Sequence, residues 1–180
     1  KKHVEKQISS KKYIAIGEIG LDLYWDKSTL AIQKKAFIYQ IELAKKHQLP
    51  IVIHVRDSFN ETFEIINNLN DEKLKGVFHC FTGNIEEAKK IISLKGFYIG
   101  VGGILTFKNA KLDQTIKEID LKNILLETDA PYLAPSPFRG KRNESKHLIK
   151  IAEKLAEVHN VRIEKIAKIT TKNAKKLFKI

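Results

Sequence analysis

Leu49-Pro50-Ile51-Val52-Ile53-His54-Val55-Arg56-Asp57 carries the pattern from which the architecture can be read. Pro50 interrupts any helix, and the branched apolar run after it is too short for a helix of its own. Such a run, bounded by polar residues, marks a strand buried on both faces. Helical patterns flank it on both sides. One runs from about Leu30 to His47, with Ile32, Ala36, Phe37, Tyr39, Gln40, Leu43 and Ala44 as its inward stripe. The other lies near Glu61 to Asn68.

The same alternation extends in both directions. Tyr13-Ile14-Ala15-Ile16 reads as the first strand, leading into Gly17-Glu18. Gly76-Val77-Phe78, Phe97-Tyr98-Ile99-Gly100-Val101 and Asn123-Ile124-Leu125-Leu126 read as the third to fifth. A helix begins at Asn84, a good N-cap residue, and ends near Leu94. Helical patterns at about Glu144 to His159 and Arg162 to Phe178 close the chain. Short buried strands alternating with amphipathic helices are the signature of parallel βα units. No linker or internal repeat divides residues 1–180, which read as a single domain. Five strands suit either an open doubly wound sheet or part of a closed barrel.

The polar residues bear on that choice. Glu18 follows the first apolar run, His54 the second, His79 the third and Asp129 the fifth. In a β/α barrel all strand C-termini converge on one face, so residues far apart in sequence can meet there. Two imidazoles with two carboxylates suit zinc or manganese, and magnesium where carboxylates dominate. Singly, each has a commoner structural role, as a hydrogen-bonded loop histidine or an N-capping acid. Their joint placement makes them a candidate metal site. His3, His47, His147 and His159 sit in helical or terminal segments among charged neighbours and read as surface residues. Cys80, beside His79, reads as a packing residue.

Composition constrains partners and compartment. Of 180 residues, 33 are Lys or Arg against 21 Asp or Glu, a net charge of +12 that attracts polyanions. The competing reading is a general lysine bias that serves only solubility. A single cysteine excludes an internal disulfide and suits a reducing, intracellular compartment, cytoplasmic or nuclear. No apolar run approaches the roughly 18 residues of a membrane span, so no membrane partner is expected.

Taken in order, the segments resemble a known family. Gly17-Glu18-Ile19-Gly20-Leu21-Asp22 resembles the GEIGLD motif of TatD-type deoxyribonucleases. Gln33 to Phe37, Leu49 to Asp57, Phe78-His79-Cys80-Phe81-Thr82-Gly83, Tyr98 to Gly103 and Glu127-Thr128-Asp129-Ala130-Pro131-Tyr132-Leu133 resemble further motifs of that family. So do Arg139 to Glu144 and the tail at Thr170, Asn173 and Phe178. The resemblance implies a TIM-type β/α barrel of the metal-dependent hydrolase kind, cutting phosphodiester bonds in DNA with two divalent ions (Mg, Mn or Zn). It implies that Glu18 bridges the ions, that His54 and His79 hold the second, and that Asp129 holds the first and helps activate water. Glu18 and Asp129 are thus the expected catalytic pair. Arg56 and Arg142 are candidates for holding substrate phosphate, because a guanidinium fork matches two phosphate oxygens. Arg139 reads equally as a salt-bridging rim residue. Asp22 is expected to brace a ligand or loop, and Glu127 to support Asp129. Tyr24 and Trp25 read either as a stacking surface for a base or as a lid packed on the rim.

The family opens on a strand carrying His-x-His, and no His-x-His occurs in this sequence. The chain is therefore expected to be the C-terminal two-thirds of a barrel, about five of its eight strands, holding one of the two ions on its own. Five strands do not close such a barrel. The open edges call for the missing N-terminal segment or for self-association. Ser145 stands where the family often has Pro. The expected function of the parent protein is a metal-dependent deoxyribonuclease acting on DNA, with RNA as a second polynucleotide, and these residues alone are expected to be a poor nuclease. The alternatives are a catalytically inactive nucleic-acid-binding fragment and an amidohydrolase for a small amide or ester.

Overall fold

The computed structural model describes residues 2–9 and 12–180, without the side chains of 2, 3 and 9. The chain runs α1 (Lys2–Ser9), β1 (Ile16–Asp22), α2 (Leu30–His47), β2 (Ile51–Arg56), α3 (Phe59–Leu69) and β3 (Gly76–Phe78). It continues through α4 (Ile85–Ser93), β4 (Phe97–Val101), α5 (Leu112–Lys117), β5 (Ile124–Leu126), α6 (Leu148–Val158) and α7 (Ile163–Phe178). The five strands are all parallel, in the order β1-β2-β3-β4-β5, with β1 and β5 at the edges. This is a run of β/α units of the TIM-barrel kind, left open. Among the described residues no helix is long and apolar enough to cross a membrane.

Strand periodicity sorts the side chains onto two faces. Ile51, Ile53, Phe78, Phe97, Ile99, Val101 and Ile124 join the main core, with Phe37, Ile41 and Ala44 of α2, Ile66 of α3 and Ile91 of α4. The alternate positions Val77, Tyr98 and Leu125, with Val52, form a second cluster against Ala174, Leu177 and Phe178 of α7. One step further along each strand on this second face come His54, His79 and Gly100. The register places Ile53 beside Phe78 and Phe78 beside Ile99, so the residues that follow these positions line up across the sheet. Alternation within strands and register between them thus bring two distant histidines to one row.

Local chemistry sets the ends of the elements. Asn84 caps α4 by accepting the Glu87 N–H while the Glu87 carboxylate accepts the Asn84 N–H, a reciprocal cap worth about 1 kcal/mol. Asn173 ties α7 to the sheet edge: its side-chain amide donates to the carbonyls of Leu121 and Ile124 at 2.9 and 2.8 Å.

Several expectations are corrected. The first strand starts at Ile16, not Tyr13, and runs through Glu18 to Asp22. Tyr13 and Ile14 lie half exposed ahead of the strand, whereas Ile19 and Leu21 are buried and pair with Ile53 and Val55. In α2, Ile32 and Ala36 face outward, and the buried stripe is Phe37, Ile41, Leu43 and Ala44. The helix expected from Glu144 opens as a 3-10 turn at Ser145–His147 before α6. His147 is buried rather than on the surface, stacked on Phe138 at 4.2 Å. His159 is half-buried, and the side chain of His3 lies outside the described residues. Helices α1 and α5 carried no expectation.

Candidate metal centre

Glu18, His54 and His79 each bring a ligand atom to one point, all within 4.8 Å of one another. Glu18 comes from inside β1, His54 from inside β2 and His79 from the residue after β3. The two imidazole centroids are 5.8 Å apart. His79 lies between two carboxylates, with Nε2 3.4 Å from Glu18 Oε2 and Nδ1 3.5 Å from Glu127 Oε1. Glu127 also accepts the backbone N–H of Cys80. Its carboxylate therefore orients His79 and the turn after it, which corrects the expectation that it supports Asp129. The reason is topological: β5 lies beside β4, and Glu127 extends across Gly100 toward the end of β3. A Cβ on Gly100 would come within 2.7 Å of Glu127 Oε2 and 3.0 Å of His79 Cα.

His54 is braced as the sequence suggested. Its Nε2 lies 2.9 Å from Asp22 Oδ2. Asp22 is held in turn: the Gln33 amide accepts the Asp22 N–H at 2.8 Å and donates to the Asp22 carbonyl at 2.9 Å. The buried Ser58 hydroxyl donates to the Leu21 carbonyl at 2.6 Å. A ligating histidine fixed by a carboxylate is the common outer arrangement of protein metal sites.

Asp129 lies three residues beyond β5 and is half-buried. It stands outside the tight trio but within electrostatic reach of His79, Glu18, Glu127 and His54. Its turn is clamped by Asn143, only 1% exposed, whose amide donates to the Thr128 and Tyr132 carbonyls at 2.6 Å each. Asn143 Oδ1 accepts the Glu144 N–H at 2.9 Å and lies 3.0 Å from His147 Nδ1. Gln33, Ser58 and Asn143 carried no expectation of a role. Gln33 and Asn143 fall inside the quoted motifs, and that was their only signal.

The electrostatics are those of a site with surplus negative charge. Burial opposes protonation of His79, yet Glu127, Glu18 and Asp129 outweigh it and raise the ring's pKa. Asp129 is raised by burial and by the neighbouring carboxylates Glu18 and Glu127, against a lowering by His79 and His54. Burial also tends to raise Asp22, but the Tyr24 N–H, His54 and Arg56 prevail and hold it below the usual carboxylate range. The Cys80 thiol is pushed up to about 12 by burial and then by Glu127, Asp129 and Glu18. It is a resting thiol, in keeping with a packing role. Two imidazoles and a carboxylate, with further carboxylates beside them, form a donor set that fits a borderline divalent cation.

The expected phosphate ligands are placed differently from one another. Arg56, at the end of β2, lies 3.7 Å over the Tyr24 ring. Arg139 lies 3.6 Å over Phe107, and among the described residues it forms no ion pair. Arg142 is exposed. Trp25 is 81% exposed, which excludes a lid packed on the rim.

Comparison with known proteins agrees with this geometry. A family described as TatD related DNase matches residues 1–179. The chain is 48% identical over 177 residues to the uncharacterized metal-dependent hydrolase YabD of Bacillus subtilis, covering 97% of this chain and 69% of that protein. It is 39% identical over 168 residues to YcfH of Escherichia coli, likewise named a metal-dependent hydrolase, covering 93% and 63%. The crystal structure of YJJV, a TatD homologue from Escherichia coli, matches with a TM-score of 0.90 at 30% identity, over 97% of this chain and 68% of that one. The chain thus spans about two thirds of the length of these relatives.

Proposed function

This chain belongs to the TatD-related DNase family of metal-dependent hydrolases, and from that premise we propose that it serves the hydrolysis of phosphodiester bonds in DNA. The observation that carries the reading is the convergence of Glu18, His54 and His79 within 4.8 Å, with Asp129 and Glu127 beside them. Glu18, His54 and His79 would hold one divalent cation, and Glu18 with Asp129 would face a second. Such ions, when bound, lower the pKa of water and neutralise charge on a phosphate.

The protein's own groups do the rest. Asp129 accepts the proton of the attacking water at a carboxylate oxygen. Glu127 holds His79 through Nδ1 and Asp22 holds His54 through Nε2, so neither ring turns away from the cluster. Arg56 and the exposed Arg142 favour a phosphate over a neutral amide or ester, and the net charge of +12 acts in the same direction. The test is cleavage of an end-labelled DNA oligonucleotide with Mg, Mn or Zn, compared with EDTA and with Glu18→Gln. Metal-dependent cleavage lost in the variant supports the reading. Cleavage of small amides or esters with none of DNA would overturn it.

A further inference from the structure

We propose that Tyr24 and Trp25 form a stacking platform that takes an unpaired nucleobase next to the phosphate being cut, a subsite that rests on the DNase reading above. Trp25 is 81% exposed, an unusual position for an indole, which is buried in most folds. It is nevertheless not loose. Its ring meets Tyr24 edge-to-face at 4.7 Å and 88°, and Tyr24 lies under the Arg56 guanidinium at 3.7 Å. Arg56 is also 5.9 Å from the Trp25 ring.

The platform is fastened to the cluster itself. The Tyr24 N–H donates to Asp22 Oδ1 at 3.0 Å, and the other oxygen of that carboxylate holds His54. The Leu23 N–H donates to the Arg56 carbonyl at 2.9 Å, and Leu23 is buried. Beyond Trp25, Asp26 Oδ1 accepts the Ser28 N–H and hydroxyl, closing the turn. An indole held this way, with most of its surface in water, is prepared for a flat apolar ligand. Bases present such a face whatever their sequence. Arg56 has its Cζ over the Tyr24 ring and forms no carboxylate ion pair among the described residues, so its N–H donors remain for phosphate. A base on Trp25 and its phosphate at Arg56 would lead the strand toward His54. A base paired within a duplex cannot offer its face, so the platform selects single-stranded ends.

Trp25 is the single tryptophan of the 180 residues, so its fluorescence reports on this site. Titration with oligothymidylate in EDTA, where nothing is cut, should give saturable quenching of the Trp25 emission. By anisotropy, Trp25→Ala should weaken single-strand binding about 5- to 140-fold, the range that ~1–3 kcal/mol of stacking gives at 1.4 kcal/mol per tenfold. Trp25→Phe should stay within a few fold, and blunt duplex should bind all three forms alike. Absent quenching, or single-strand binding by Trp25→Ala within twofold of the wild type, overturns the platform. The cleavage assay with metal separates the two readings. Cleavage with an unchanged KM in Trp25→Ala rejects the platform and keeps the nuclease. Quenching without cleavage by any metal, in the protein extended to the full length of its relatives, rejects the nuclease and keeps the platform as a nucleic-acid contact.

Discussion

Replacing Asn143 should cost stability and turnover together, because one buried amide holds the Asp129 turn from both ends. Its Nδ2 donates to Thr128 O and Tyr132 O, which flank Asp129, and its Oδ1 serves Glu144 N and His147 Nδ1. Alanine removes all four bonds. Buried groups left unpaired cost about 1–3 kcal/mol each. The Thr128 and Tyr132 residues are not fully buried, so water recovers part of the loss, and Glu144 N keeps a 3.3 Å contact with His147 Nδ1. A net loss of roughly 2–4 kcal/mol follows, or about 4–16 °C in Tm for a chain of this size. Asn143→Asp is the sharper test. It keeps the shape and the accepting oxygen but sets a carboxylate against two carbonyls that stand 2.6 Å from the amide nitrogen. It should therefore destabilise at least as much as alanine at neutral pH, and recover partly where the carboxyl is protonated. Thermal unfolding by circular dichroism gives the first readout. Below the lowered Tm, kcat should fall through the displaced Asp129 and KM should rise through the neighbouring Arg142, with Arg56 on β2 left in place. If Asn143→Asp melted within about 2 °C of the wild type with full kcat, the clamp would have no role in holding Asp129.

Asp22→Asn should weaken Mn or Zn binding about 10- to 100-fold in calorimetric titration, the usual loss when a carboxylate that orients a ligating histidine is removed; an unchanged affinity would separate Asp22 from the metal. Asp129→Ala should abolish DNA cleavage while leaving oligonucleotide binding by anisotropy nearly intact, and substantial residual turnover under saturating metal would reassign the proton acceptor. His159 has a pKa lowered by burial, with Ile116 and Asp120 opposing, so the fold prefers the neutral ring. Above the unfolded value near 6.5 the ring contributes nothing to pH dependence. As pH falls through that value the unfolded chain gains a proton that the fold resists, and stability declines until the lower folded pKa is passed. Denaturant titrations at pH 7.5 and 5.5 should show a smaller decline in His159→Gln than in the wild type, and equal declines would contradict the burial effect.

The sequence was most legible where burial alone decides conformation. β3 and β4 could be bounded from their apolar runs because both faces of each strand are covered, so no polar residue interrupts the pattern, whereas β2 runs three residues past its apolar start, through His54 to the exposed Arg56. β1 was set too early for the opposite reason. Its glycines and Glu18 break the apolar run, while Tyr13 and Ile14 look like strand residues but lie half exposed. The candidate trio was legible because parallel strands carry the residues after their apolar runs toward one end of the sheet, although only His79 follows its strand, while Glu18 and His54 lie inside β1 and β2. Gln33, Ser58 and Asn143 were not. Each satisfies backbone groups of a segment 11 to 37 residues away, and such pairing leaves no period in the sequence. His147 was misread because its neighbours Lys146 and Glu144 are charged, yet its own ring turns inward onto Phe138 and Asn143.

Two glycines show how the family motif becomes geometry. Gly20 sits beside His54 in the β1–β2 register with φ of 151°. A Cβ there would overlap the His54 carbonyl, so β1 can lie this close to β2 only if that position has no side chain. That closeness is what brings Glu18, two residues earlier, within reach of His54 and His79. At the other side of the row, Gly100 leaves the space that the Glu127 carboxylate fills against His79. The histidines and acids supply the chemistry, but the distance between them is set by what the two glycines lack. An alanine at either position would leave every candidate ligand in the sequence and still move the cluster apart.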